Sequence, residues 1–176
     1  MGDDARVVWI TGGGTGMGRA AALALAATGW RVAVSGRRRE ALDAVVAEVR
    51  DAGGTALALP VDATDRAALT AAHAALVDEW GRIDGLVLAA GLNDPQRTWA
   101  DQDLGRTEVI IATNLTAVVS AVDLALPQLR AAAGVVVVVS SYSGWQFSPG
   151  AGVAYGASKT ALGSVCLLYT SPSPRD

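Results

Sequence analysis

The chain has 176 residues, 51% of them hydrophobic, and a formal net charge of −3. That length supports one domain with a substantial core, and so large an apolar share excludes disorder. One cysteine and one histidine exclude a disulfide framework and a Cys/His metal centre. The acidic balance argues against a nucleic-acid surface, because the Arg37-Arg38-Arg39 run is too short to overturn it. No apolar stretch reads as reaching the roughly 20 residues of a membrane span. Gly2 to Arg6 has no signal-peptide character, so a cytoplasmic location without membrane contact is expected.

In chain order, Val7-Val8-Trp9-Ile10 predicts a buried strand, and Arg19 to Thr28, rich in Ala and Leu, predicts a helix. Between them runs Thr11-Gly12-Gly13-Gly14-Thr15-Gly16-Met17-Gly18. A strand, a glycine turn and a helix N-terminus make an anion site: glycine lets the backbone approach a pyrophosphate, and unpaired N–H groups with the helix dipole favour negative charge. Gly16 to Ala21 satisfies the loose G-x-G-x-x-A form, although a glycine cluster alone is equally a tight turn. Arg31 to Ser35 predicts a second strand, and Arg37 to Asp51 a helix whose Ala41, Leu42, Val45, Val46 and Val49 form one apolar stripe. Thr55 to Leu59 is a third strand, followed by a helix to Trp80 with Thr64 as its N-cap and His73 on its solvated surface. Ile83 to Ala89 is a fourth strand. After the polar segment Asn93 to Asp103, a long helix is expected from Gly105 to Ala131. Val135 to Val139, an unbroken β-branched run, predicts a strand buried on both faces, and Tyr155 to Val165 opens a further helix. Strands alternating with helices imply a parallel sheet with right-handed crossovers, so residues 1–165 read as one α/β doubly wound domain.

The composition changes at Cys166. Pro172 and Pro174 cannot continue a helix, and Cys166 to Asp176 resembles a translated transposase sequencing adaptor. Residues 166–176 are therefore read as a non-native tail, the alternative being a native disordered C-terminus.

Ligands of such sheets sit at the carboxyl ends of the strands. Those ends carry Thr11 to Gly18, Ser35 to Arg38, Val61-Asp62, Ala89 to Gly91 and Ser140-Ser141. The candidate nucleotide-binding residues are Thr11, Gly12, Gly14, Thr15, Gly16, Met17 and Gly18, with Ala89, Ala90 and Gly91 offering close backbone approach at the middle of the cofactor. The second strand is followed by Gly36, Arg37 and Arg38, where an acidic residue would serve the ribose 2′-OH of NAD. A guanidinium instead pairs with the 2′-phosphate of NADP, so NADP(H) is favoured over NAD(H), with a solvated basic helix start as the other explanation. Asp62, with Ala63 beside it, suits the adenine amino group or a turn.

Tyr155 and Lys159 stand at i and i+4, one above the other on a helix. Such a pair alone is common on surfaces. Here it accompanies Ser141 after the fifth strand and Asn114 in the long helix. Together with Thr11 to Gly18, Asp62 and Ala90-Gly91, these residues resemble the short-chain dehydrogenase/reductase family, in its short single-domain branch, over about residues 6 to 165. The resemblance implies a Rossmann-type three-layer αβα fold and hydride transfer between a nicotinamide and a small-molecule carbonyl or alcohol. Tyr155 would be the general acid or base; its free pKa of about 10 is too high for a base at neutral pH, and Lys159⁺ is the charge that lowers it. Tyr155 and Lys159 would also be cofactor-binding residues, Lys159 at the nicotinamide ribose. Ser141 would donate to the substrate oxygen, chosen over Ser140 and Ser143 because Gly144 follows at the family's spacing. Asn114 would hold a water linking Lys159 to solvent. Assembly as a homodimer or homotetramer is implied through the two long helices.

Departures are visible. Leu88-Ala89-Ala90-Gly91 replaces the usual Asn-Asn-Ala-Gly, and the Ser-to-Tyr gap is one residue longer than common. Trp145, Gln146 and Phe147 fall where a substrate wall would form, while Trp99 and Phe147 read equally as packing. The family continues past the Tyr/Lys helix with further strands, so the last strands are expected to be missing and the 176 residues to fold poorly with little activity. A non-catalytic nucleotide-binding protein, or a related epimerase or dehydratase, are the alternatives.

Overall fold

The computed structural model describes residues 5–146 and 148–170. Five strands, β1 (Val7–Thr11), β2 (Arg31–Gly36), β3 (Thr55–Pro60), β4 (Gly85–Leu88) and β5 (Val135–Val138), form one sheet in the order β3-β2-β1-β4-β5. All pairings are parallel, with Trp9 opposite Ala33 on one side and Leu86 on the other. The chain builds outward from β1 to β3, then returns to build outward from β4. The gap between β1 and β4 is therefore the switch point at which such sheets hold ligands.

Helices α1 (Gly16–Ala27) and α2 (Arg39–Asp51) cover one face, where Ala22, Leu42, Val45 and Val49 pack on Val8, Ile10, Val32 and Val34. Helices α3 (Arg66–Trp80), α5 (Ala117–Ala131) and α6 (Val153–Thr170) cover the other, packing Leu69, Leu76, Ala121, Leu129 and Leu162 on Trp9, Leu86 and Leu88. Period-2 alternation thus feeds two cores, and the fold is the doubly wound three-layer arrangement expected. At the foot of the sheet Asp84 is buried. Its carboxylate accepts from Val7 N at 2.8 Å and from Arg82 Nε at 2.9 Å, tying β1 to the start of β4. Burial alone would raise the Asp84 pKa, but the Arg82 side chain and the Val7 amide outweigh it and hold the carboxyl below its ordinary 3.8.

Several expectations are corrected. β5 is an edge strand rather than one buried on both faces: Val136 and Val138 pack on the core, while Val135 and Val137 are 54% and 48% exposed. The N-cap of α3 is Asp65, whose carboxylate accepts from Ala68 N at 3.0 Å; Thr64 instead donates to Asp62. His73 is not on a solvated surface but half-buried, its ring centroid 6.0 Å from that of Trp9 and its Nε2 3.3 Å from Gln128 Oε1. α2 begins at Arg39, leaving Arg37 and Arg38 ahead of it. The long helix starts one residue early, at Leu104 after an Asp103 cap, and divides into α4 (Leu104–Ile111), a π-helical turn (Ala112–Thr116) and α5. As one 28-residue helical stretch, Leu104–Ala131 is long and apolar enough to cross a membrane by length and composition alone, contrary to the expectation that no stretch would be. Ala121, Ala125 and Leu129 of that stretch are buried in the domain's own core. α6 continues past Val165 through Thr170, and Ser171 to Asp176 lie outside the described residues.

Candidate functional site

The carboxyl ends of β1, β2 and β4 open into a cleft of about 630 Å³. Thr11, Gly12, Gly14, Thr15, Gly16, Met17 and Gly18 line it, together with Arg37, Arg38, Asp62, Ala63, Ala89, Ala90 and Gly91. The residues expected at the nucleotide thus line one cleft, except Tyr155 and Lys159, which line the cleft beside it. Two glycines explain the loop's shape. Gly12 has φ +67°, and a Cβ there would lie 2.6 Å from Ala90 N, so the turn after β1 can press against the end of β4 only without a side chain. Gly16, at φ +53°, has nothing within 4 Å of its Cβ position, which leaves bare backbone at the N-terminus of α1 facing the opening. Backbone bonds tie the end of β4 to β1: Ala89 N donates to Thr11 O at 3.1 Å and Ala90 N to Thr11 Oγ1 at 3.4 Å.

The Arg38 guanidinium approaches Thr15 Oγ1 at 3.5 Å, reaching from β2's end across to the glycine turn. Asp62 makes the turn that was its second reading, accepting from Thr64 N at 2.9 Å and Thr64 Oγ1 at 2.8 Å. The Thr64 amide and hydroxyl lower its pKa, and Arg37 adds to that. Ser35 and Gly36, at the expected end of the second strand, also line the cleft; Leu92 and Thr113 do too and were missed, since they carry no signal beyond adjacency to Gly91 and Asn114.

A second cleft, of about 460 Å³, joins the first through Met17, Ala89, Gly91 and Leu92. Tyr155 and Lys159 of α6 form its far wall. Lys159 is only 5% exposed; its Nζ donates to Val139 O at 2.8 Å and lies 5.7 Å from the centroid of the Tyr155 ring. Burial lowers the Lys159 pKa. Asn114 sits in the π-helical turn, fully buried. Its Oδ1 accepts from Leu92 N at 2.8 Å, and its Nδ2 donates to Leu92 O at 2.9 Å and to Ser158 Oγ at 3.1 Å. Ser158 in turn donates to Tyr155 O at 2.8 Å. Asn114 therefore clamps the loop after β4 to α6, with both its amide hydrogens engaged.

Ser140 and Ser143 line the second cleft, whereas the Ser141 hydroxyl caps the 3₁₀ turn Tyr142–Gly144, accepting from Ser143 N at 3.3 Å. Ser140 Oγ donates to Lys159 O at 3.3 Å. Trp99 is not packed inside but 75% exposed, Trp145 is 82% exposed, and Phe147 lies outside the described residues.

The family model for short chain dehydrogenases matches residues 6–167. This chain belongs to the short-chain dehydrogenase family. Cyclohexanol dehydrogenase of Rhodococcus sp. (strain TK6) is 35% identical over 190 residues, covering 97% of this chain and 68% of that protein. Among solved structures, a 3-ketoacyl-ACP reductase from Sinorhizobium meliloti 1021 superposes with a TM-score of 0.87 at 38% identity, covering 93% of this chain and 66% of that one. A metagenomic short-chain oxidoreductase in complex with NADP gives 0.88 at 29% identity, with 96% and 76% covered. The chain spans between 62% and 68% of the length of the first curated relatives it matches. Membership makes the three-layer fold, a nicotinamide-nucleotide cleft and an oxidoreductase family the frame for everything else in the site.

Proposed function

We propose that the whole protein is an NADP(H)-dependent oxidoreductase that interconverts a small-molecule carbonyl and its alcohol in the cytoplasm, as a homodimer or homotetramer. One observation carries this reading: Tyr155 and a buried Lys159 face, across a shared opening, the bare backbone at the start of α1. When bound, the nicotinamide group supplies or accepts the hydride. The open Gly16 backbone suits a pyrophosphate, and Arg37 and Arg38 suit a 2′-phosphate. Thr11, Gly12, Gly14, Thr15, Met17, Gly18, Asp62, Ala63, Ala89, Ala90 and Gly91 complete that binding surface.

Tyr155 gives its phenolic proton to the developing alkoxide in reduction and takes it back in oxidation. Lys159 sets its ammonium 5.7 Å from the Tyr155 ring centroid, oriented by the bond it donates to Val139 O. Ser141 polarises the carbonyl: accepting from Ser143 N leaves its O–H free to donate, whereas the Ser140 O–H is already directed at Lys159 O. Asn114 keeps the Leu92 loop and α6 in register, so the two halves of the site stay at one spacing.

The test uses the gene product from its genomic locus, assayed for NADPH oxidation against a carbonyl panel beside its Tyr155→Phe and Ser141→Ala variants. Turnover that survives Tyr155→Phe overturns the mechanism, and a clear preference for NADH overturns the cofactor assignment. A nucleotide-binding module without turnover is the second reading. The open edge at Val135 and Val137 favours it for the 176 residues alone, for which we propose poor folding and little activity. NADPH binding without carbonyl reduction would select it.

A further inference from the structure

Beyond the Tyr155 cleft, and joined to it through Ser143 and Ser148, lies a third cleft of about 640 Å³. Two segments of opposite origin build it: the loop after β4, with Arg97, Thr98 and Trp99, and the loop between β5 and α6, with Trp145 and Pro149. The two loops are pressed together at Gly152, where φ is +80° and a Cβ would stand 2.6 Å from Arg97 Cβ. The Arg97 stem is thereby seated against the second loop, while its guanidinium makes no ion pair or hydrogen bond among the described residues. Arg106, nearby, contrasts with it: that guanidinium is paired with Asp94 at 3.3 Å and with Gln96. Among the described residues no carboxylate lines the cleft, and Asp101 is held by Thr98 Oγ1 at 2.6 Å. Two indoles at 75% and 82% exposure flank this unpaired cation.

We propose that this cleft is the substrate-recognition subsite, and that it takes a planar ring bearing a carboxylate: the ring stacks on Trp145 and Trp99, and Arg97 pairs with the acid. The assignment rests on Tyr155 acting on the same molecule as proposed above, since the shared Ser143 and Ser148 wall lets one ligand reach both places. Indole faces offer area and stacking to a ring, and a guanidinium presents a fork matched to a carboxylate. An aliphatic acid would use only Arg97 and a neutral ring only the indoles, so the aryl acid is favoured over each.

The test is a titration of intrinsic tryptophan fluorescence without nucleotide, using 4-acetylbenzoate, its neutral counterpart acetophenone, and pyruvate. 4-Acetylbenzoate is expected to quench with about fivefold higher affinity than acetophenone. Arg97→Gln removes that preference and Arg97→Lys retains it in part, while Trp145→Phe keeps binding and Trp145→Ala weakens it about fivefold. Far-UV circular dichroism of each variant confirms the fold. Equal affinity for the two ketones, or a preference insensitive to Arg97→Gln, overturns the subsite. Quenching with this pattern but no NADPH-dependent turnover would leave the subsite standing and defeat the oxidoreductase mechanism. Turnover of both ketones with no effect of Arg97→Gln on KM would do the reverse.

Discussion

The two halves of the site are made of different material. The nucleotide cleft is largely backbone: the turn after β1, the ends of β2 and β4, and the start of α1, each placed by the parallel register of the sheet. The Tyr155 cleft is side chains carried on α6 and on the turns between β5 and α6, held in place by single contacts such as Asn114 to Leu92. A surface built from strand ends tolerates drift elsewhere in the fold. One built from side chains on turns depends on a few clamps, such as the Ser141 hydroxyl accepting from Ser143 N.

Removing chemistry without touching architecture has the largest effect. Tyr155→Phe should lower carbonyl reduction by about 10³-fold with a far smaller change in the NADPH dissociation constant, read by steady-state turnover and nucleotide fluorescence. A parallel loss of NADPH binding would show that the halves are not separable. Gly12→Ala makes the opposite cut. Left-handed strain and a clash with Ala90 should cost about 3 kcal/mol of stability and abolish nucleotide binding, measured by denaturant unfolding and titration.

Asp84→Asn touches neither cleft and should cost about 2 kcal/mol at neutral pH, with NADPH affinity retained by the folded fraction. The sign with pH follows from the depressed carboxyl. Its stabilisation is fully present above the ordinary 3.8 and is lost as pH falls through the lower folded value, so the gap between wild type and variant should close in acid unfolding. The smallest effect is Arg37→Gln, a drop of about tenfold in NADPH affinity with NADH affinity unmoved. Equal losses for both would make Arg37 a solvated helix-start residue and nothing more.

Much of this was legible from residue patterns. The glycine turn, the strand ends and the Tyr/Lys spacing are local features, and the sheet brings them together because parallel strands all point their carboxyl ends one way. What escaped was set by distant neighbours. Five consecutive valines, Val135 to Val139, look alike whether a strand lies inside a sheet or at its edge, so Val135 and Val137 read as buried. Thr64 and Asp65 are both good caps, and only the starting turn of α3 chooses between them. His73 follows the helix period correctly, but nothing near it in the chain announces that Trp9 crosses beneath. The apolar helix Leu104–Ala131 has the same composition whether it faces lipid or a protein core. The orientation of a hydroxyl in a turn, which separates Ser141 from Ser143, leaves no trace in residue type.

The π-helical turn at Ala112–Thr116 makes this long helix a phase-sensitive device. One surplus residue per such turn advances everything after it by about 100° around the axis. Deleting a single residue there would spin α5 out of step with α4: either Asn114 would swing off its loop or Ala121, Ala125 and Leu129 would roll away from the sheet. Evolution can therefore lengthen or shorten the surrounding loops freely, but it must count residues through this stretch.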